Sequence, residues 1–289
     1  MAIKLLVVLL VLALAQGLPD LARMRDFSRL RVWLSLLSKT GDGLQVALAL
    51  IVPVTVCALL QYWLQGPLFG LLGAVFAVCV LWFAWGPRDL GLDIDAVIKA
   101  PDSERRLAAV QFLRADGEST PLPWQAATVV EATFLSALQR WFGVLFWFLV
   151  AGPAGALAYR LAQVLAYGNV LPSQSTQGRA MAQRIALILD WLPAHLMALA
   201  MAVASDFDAV FHAWQTHHHA ERGWFSLDLG FLGAIARASV DADVAAGDGY
   251  SEDVDDPLIE LTDARNLLMR VLIVWLAVAA VFALGGWFN

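Results

Sequence analysis

Residues 140–166 read RWFGVLFWFLVAGPAGALAYRLAQVLA. Crossing the ~30 Å hydrocarbon core of a bilayer takes roughly 17–25 apolar residues, and this stretch is long enough to do it. It nevertheless carries Arg160, an ionisable group whose placement at membrane depth costs about 2.5 kcal/mol or more. Two readings follow. Arg160 faces a partner or a watery cavity, or, lying near one end beside Tyr159, it snorkels to the headgroups.

The rest of the chain agrees with a membrane setting. Of 289 residues, 60% are hydrophobic and only 15% charged, with a mean hydropathy of +0.67, against roughly 25% charged in soluble domains. Apolar segments fall at about 3–18, 44–64, 68–85, 141–167 and 267–288. A further one at 185–204 is interrupted by Asp190, Pro193 and His195, so that it bends or re-enters rather than simply spanning. No alternating strand pattern is present. The expected fold is all-α: one polytopic membrane domain of five to six segments with added cytoplasmic amphipathic helices.

The N-terminal apolar core has signal-peptide length, and Ala13–Ala15 imitates a cleavage site, but Met1 is retained and the segment reads as an uncleaved helix. Basic residues cluster before the second segment (Arg23, Arg25, Arg29, Arg31, Lys39) and after the third (Arg88, Lys99, Arg105, Arg106, Arg114, Arg140). The positive-inside rule places both loops in the cytoplasm of a bacterial inner-membrane protein, and 205–266 with them if 185–204 crosses.

Between Leu21 and Leu37 the apolar residues fall on one side and arginines on the other, an interfacial amphipathic helix. Near Pro101, Asp102 or Ser103 suits a helix N-cap. Residues 205–266 carry thirteen acidic residues against Arg222, Arg237 and Arg265. The Gly- and Asp-rich part from Ala245 to Pro257 reads as a linker before the last helix. Cys57 and Cys79 lie within spans and imply no disulfide framework.

Few motifs carry chemistry. His212 and His217–His219 are the only cluster of metal-ligand type, but consecutive histidines on a helix diverge, so His212 and His217 are weak zinc candidates. There is no calcium loop, phosphate-binding GxxxxGK[ST] loop or GxSxG elbow, and nothing calls for a nucleic-acid partner. Gly152 and Gly155 read as small residues that let helices approach closely. Glu131 and Arg140 flank the entry to 141–167, Arg184 precedes 185–204, and Asp190 and His195 flank Pro193. Together with Arg160 they are the ligand-binding candidates, a polar pocket at the cytoplasmic membrane surface if they converge.

LFWFLVAGPAGALAYR, followed by ILDWLPAHLMAL, resembles the AmpE family, inner-membrane regulatory proteins associated with the amidase AmpD in β-lactamase induction; the resemblance covers roughly Arg88 to Ala204. That family is in turn similar to CobD and CbiB, membrane proteins that join aminopropanol or its phosphate to a corrinoid acid in an ATP-consuming amide synthesis. Arg88, Asp89 and Leu90 match an RDL motif. Glu131 matches the first glutamate of VETxxEN, and Phe146 and Trp147 match the end of PLFW. Gly152, Pro153, Ala156–Tyr159 and Arg160 match GPPGALAYK, Arg184 matches a later arginine, and Pro193 and Ala194 match IPAR.

The departures are larger than the matches. The synthase pattern's second glutamate, asparagine and aspartate fall on Leu135, Ser136 and Gln139, and its NTLD falls on Gln163, Val164, Leu165 and Ala166. A paired aspartate falls on Ala186 and Leu187, and the IPAR arginine is His195. Carboxylates of that kind would hold magnesium beside a nucleotide. The resemblance therefore implies a regulator linked to peptidoglycan recycling that requires no cofactor. Its retained arginines suit a carboxylate-bearing ligand of muropeptide type, and AmpD would be a partner beside the lipid bilayer. The competing class is a CobD/CbiB-related enzyme with altered ATP- and magnesium-dependent or transfer chemistry. A transporter would need ionisable residues deep in several spans, and essentially one is found.

Overall fold

The computed structural model describes residues 2–17, 41–64, 70–86, 88–114, 120–168, 175–219, 227–248 and 256–285, and among these every regular element is helical. The helices are α1 (Ala2–Gly17), α2 (Asp42–Leu64), α3 (Gly70–Ala84), α4 (Leu90–Ile98), α5 (Ser103–Val110), α6 (Ala126–Ala137), α7 (Gly143–Tyr167), α8 (Thr176–Ala204), α9 (Phe207–His219), α10 (Gly230–Asp248) and α11 (Pro257–Leu284). The amphipathic helix expected over Leu21–Leu37 lies outside the described residues.

Four stretches are long and apolar enough to cross a membrane: Gly43–Leu64, Ala126–Tyr167, Thr176–Ala204 and Pro257–Leu284. Ile3–Ala15 and Gly70–Ala84 are shorter apolar helices. The fold is a polytopic helical membrane protein. Where the sequence suggests one domain, the helices group into two compact units. The first comprises Met1–Asp89, Gly143–Leu189 and Ala279–Asn289, and the second Leu90–Phe142 and Asp190–Val278.

Within the first unit, α7 differs from the straight span expected over 141–167. Gly152 has φ 71° and ψ −155°, a conformation essentially reserved for glycine. A side chain on Gly155 would collide with the carbonyl of Trp147, and one on Gly143 with the ring of Tyr159. Residues eight and sixteen apart cannot touch along one rod rising about 1.5 Å per residue. The chain therefore reverses at Gly152, and 143–151 and 153–167 pack antiparallel. Gly152 and Gly155 allow the reversal, rather than packing within a continuous helix.

The reversal leaves backbone groups without helical partners, and in hydrocarbon each must find another. Side chains from the flanking helices supply them. Gln61 of α2 donates from Nε2 to the Ala151 carbonyl (3.5 Å) and accepts through Oε1 from the Ala154 N–H (3.2 Å). Lys4 of α1 donates to the Leu149 carbonyl (3.0 Å). Pro153 occupies the first position of the second arm, where its missing N–H costs nothing.

Helix α8 is continuous from Thr176 to Ala204 with Pro193 inside it, rather than broken near the proline. Proline removes the donor that would reach the carbonyl four residues back. That carbonyl is Leu189's, and Trp147 Nε1 donates to it at 3.1 Å.

In the second unit, α4 buries Leu90, Asp93, Ile94 and Val97 on one face. Asp102 caps α5 by accepting from the Arg105 N–H at 2.7 Å. Helix α10 runs on to Asp248, through the first four residues of the stretch expected to be linker from Ala245; alanines at 245 and 246 favour the helix. Residues 249–255 lie outside the described part.

Candidate functional site

The first unit holds Arg160 in the second arm of α7. Its residue is 1% exposed, so it does not snorkel. Nε donates to the Ala84 carbonyl at 2.6 Å, at the C-terminus of α3, where the helix dipole favours a cation. Two residues on, Gly86 has φ +99°, and a side chain there would fall 2.9 Å from the Arg160 guanidinium. Between them Trp85, 1% exposed, keeps its indole N–H buried with no acceptor. Arg160 and the Trp85 indole thus place buried donors beside the C-terminal turn of α3, whose Ala84 carbonyl accepts from Arg160. Of these donors the Trp85 indole N–H is the one without an acceptor, and it suits a ligand group that accepts, such as a carboxylate or a phosphate. Arg184, also in this unit, is exposed on α8.

Glu131, Arg140, Asp190 and His195 belong to the second unit. Arg140 lies in the π-helical turn Leu138–Phe142 that leads from α6 into α7. It pairs with Asp93 at 2.9 Å and also donates to the carbonyls of Phe112 (2.9 Å) and Arg114 (3.3 Å). These contacts take up its guanidinium, which makes Arg140 a cross-link between α4, the end of the α5 region and α6. Asp93 is missing from the sequence-derived candidates, although the 90, 93, 94, 97 spacing puts it on the apolar face of α4.

Glu131 accepts from Arg237 Nε at 2.8 Å and packs against Gly233 of α10. It borders a cavity of about 190 Å³ with Thr120, Thr128 and Leu135. Asp190 is fully buried. Asp95 pairs with Lys99 at 2.7 Å and with Arg265 at 3.0 Å, linking α4 to α11.

His195 sits in an aromatic cluster, its ring centroid 4.3 Å from Trp191, 4.6 Å from Phe231 and 6.4 Å from His218. Its Nδ1 lies 2.7 Å from the Trp191 carbonyl, and that of His218 lies 2.8 Å from the Trp214 carbonyl. A carbonyl only accepts, so both rings carry the proton on Nδ1. His217 approaches Asp228 at 3.7 Å, and His212 is exposed. Among the described residues no three His, Cys, Asp or Glu side chains are placed to hold a metal.

Three positions where the synthase pattern has an asparagine or a carboxylate, Ser136, Ala166 and Ala186, are built into packing. Ser136 donates to the Leu113 carbonyl at 2.7 Å. Leu165, Ala166 and Ala186 lie in an apolar cluster with Val46, Ala49 and Ala182. These residues do not fit a magnesium ion.

Set beside known proteins, residues 11–281 match the CobD/Cbib protein family. The chain belongs to this family. It is similar to the cobalamin biosynthesis protein CobD of Stutzerimonas stutzeri, at 28% identity over 57% of this chain and 55% of that protein. It is also similar to the CobD of Chromobacterium violaceum, at 27% identity over 62% of this chain and 58% of that one. The chain spans a little over half the length of these curated relatives. No solved structure matches.

Proposed function

We propose that this chain is a membrane enzyme related to the CobD/CbiB synthases with altered transfer chemistry, acting on an anionic substrate at the Arg160 centre. The observation that carries the proposal is the buried, unpartnered indole N–H of Trp85 beside buried Arg160, which lies in the segment resembling GPPGALAYK, within a family match that covers most of the chain. Arg160 orients an acceptor-bearing substrate, and the closed surroundings keep water from competing for its hydrogen bonds. The magnesium-binding carboxylates of the synthase pattern are replaced by packed side chains, so the transfer step itself differs from the family's ATP-consuming one.

The test uses purified full-length protein in nanodiscs, with a corrinoid bearing a free carboxylate as probe and its visible absorbance as readout. Wild type binds it, and Arg160→Ala weakens binding about tenfold or more, because a hydrogen bond to a charged group is worth roughly 1.5–3 kcal/mol. Absence of binding to the wild type rejects the proposal.

A second reading is a regulator of the AmpE type with a muropeptide ligand and the amidase AmpD as partner. It is favoured by the apolar replacements at Ala166 and Ala186, since a sensor needs a pocket but no metal. It requires β-lactamase induction by a sub-inhibitory β-lactam to shift when the gene is removed and to recover with wild type but not Arg160→Ala.

A further inference from the structure

The corner between α8 and α9 carries an apolar row. Leu192, Leu199 and Val203 of α8 and Phe207 and Phe211 of α9 are 40%, 52%, 74%, 60% and 47% exposed. Leu199 and Val203 lie one turn apart at the end of α8, and Phe207 and Phe211 lie one turn apart at the start of α9. The two phenylalanine rings stack with centroids 5.8 Å apart and planes 8° apart, forming a flat plate. A soluble surface rarely gathers such groups without something to cover them.

Three observations point to lipid as the cover. Helix α8 is long and apolar enough to cross a membrane, and the plate begins three residues after its last residue. Where the row turns the corner, polar groups pin the backbone: Arg270 donates to the Ala204 carbonyl at 3.0 Å and pairs with Asp243. Ser205 Oγ donates to Asp243 at 3.2 Å, and Asp206 caps α9 through the Ala209 N–H at 2.9 Å. Lastly, Arg270 is the final charged residue of α11 before the apolar run 271–284. Two candidate spans therefore change from apolar to polar at one contact, as helices do where hydrocarbon gives way to headgroups.

We propose that the α8–α9 corner is a lipid-contacting surface, with Phe207 and Phe211 inserted at the boundary between acyl chains and headgroups. The first two turns of α9 then act as a foot that seats this end of the second unit on the bilayer, in the manner of an interfacial helix.

Spin labels test this. In a Cys57→Ser, Cys79→Ser background, single cysteines replace Val203, Phe207, Phe211 and, as a reference on an exposed polar helix, Glu104. The labelled proteins are placed in phosphatidylcholine–phosphatidylglycerol nanodiscs, and elution at the wild-type volume establishes folding. Power saturation compares collisions with oxygen, which concentrates in lipid, and with a nickel chelate, which stays in water. Labels at 203, 207 and 211 are expected to be oxygen-dominated and the label at 104 nickel-dominated. Nickel-dominated labels at 207 and 211 place the plate in water and overturn the proposal. Labels there that are shielded from both reagents place it against protein, a second copy or a partner, and overturn it equally. A nickel-dominated label at 203 removes the lipid-facing span on which the proposal stands.

Discussion

Gly86 and Arg160 constrain each other: the positive φ at 86 excludes most side chains, and the guanidinium fills the space one would need. Gly86→Ala is expected to cost about 1–3 kcal/mol in backbone strain alone. It also displaces Arg160, so thermal unfolding in detergent should fall together with any ligand binding at that centre; an unchanged midpoint would contradict the geometry. Arg140 and Asp93 pose a different problem, because both are deeply buried, with side chains 10% and 5% exposed. Removing one partner strands a charge in the interior at roughly 3–5 kcal/mol, whereas replacing both by apolar groups is often nearly neutral. Arg140→Leu and Asp93→Leu should each lower the unfolding midpoint sharply, and the double variant should recover much of the loss. Additive losses would show that the two residues do not act as a pair. The sequence flags Arg140 by its place at a span entry. Its partner is legible only through the period of α4, because nothing local says that a carboxylate on an apolar face has a cation waiting for it.

The reversal in α7 is the element that hydropathy conceals. Apolar content across 141–167 is uniform and measures only transfer into oil, so it reads a rod and a hairpin alike. The informative signal is Gly152 followed by Pro153, a helix stop joined to a helix start, which a long apolar run makes easy to read through. Two further signals are single polar residues within apolar helices, Lys4 and Gln61, whose roles appear only once the broken ends of α7 lie beside them. Pro193 is a different case: Trp147 meets the carbonyl it frees, and α8 runs through it as one helix. Gln61→Leu has nearly the same size and leaves two backbone groups at the reversal without partners, which at about 1–3 kcal/mol for a buried unsatisfied group is a measurable loss. Gly152→Ala adds strain and a collision with Gln61. Both variants should destabilise the protein in detergent melts, Gly152→Ala the more. A Gly152→Ala variant as stable as wild type would mean that the chain does not reverse there.

At the scale of the whole molecule, composition and span length were enough to read a polytopic helical membrane protein, because burying so much apolar surface in water has no other solution for a chain this poor in charge. The grouping into two units was not legible, since it depends on contacts between segments far apart in sequence, ion pairs among them. Those pairs bear on topology. Asp95 with Arg265 and Glu131 with Arg237 join the polar stretch after α3 to the one between α8 and α11, all inside the second unit. Side chains in such direct contact cannot lie on opposite faces of a bilayer, so the two stretches share a side whatever the number of crossings between them. From the arginines of the first stretch we propose that this side is cytoplasmic. In the Cys57→Ser, Cys79→Ser background, a membrane-impermeant maleimide applied to intact spheroplasts should therefore leave Glu104→Cys and Asp241→Cys unlabelled, and should label both once the membrane is permeabilised. Labelling of both in intact cells would invert the orientation while keeping the unit. Labelling of one alone would break the second unit itself, and with it the placement of Glu131, Arg140 and His195 within one helical body.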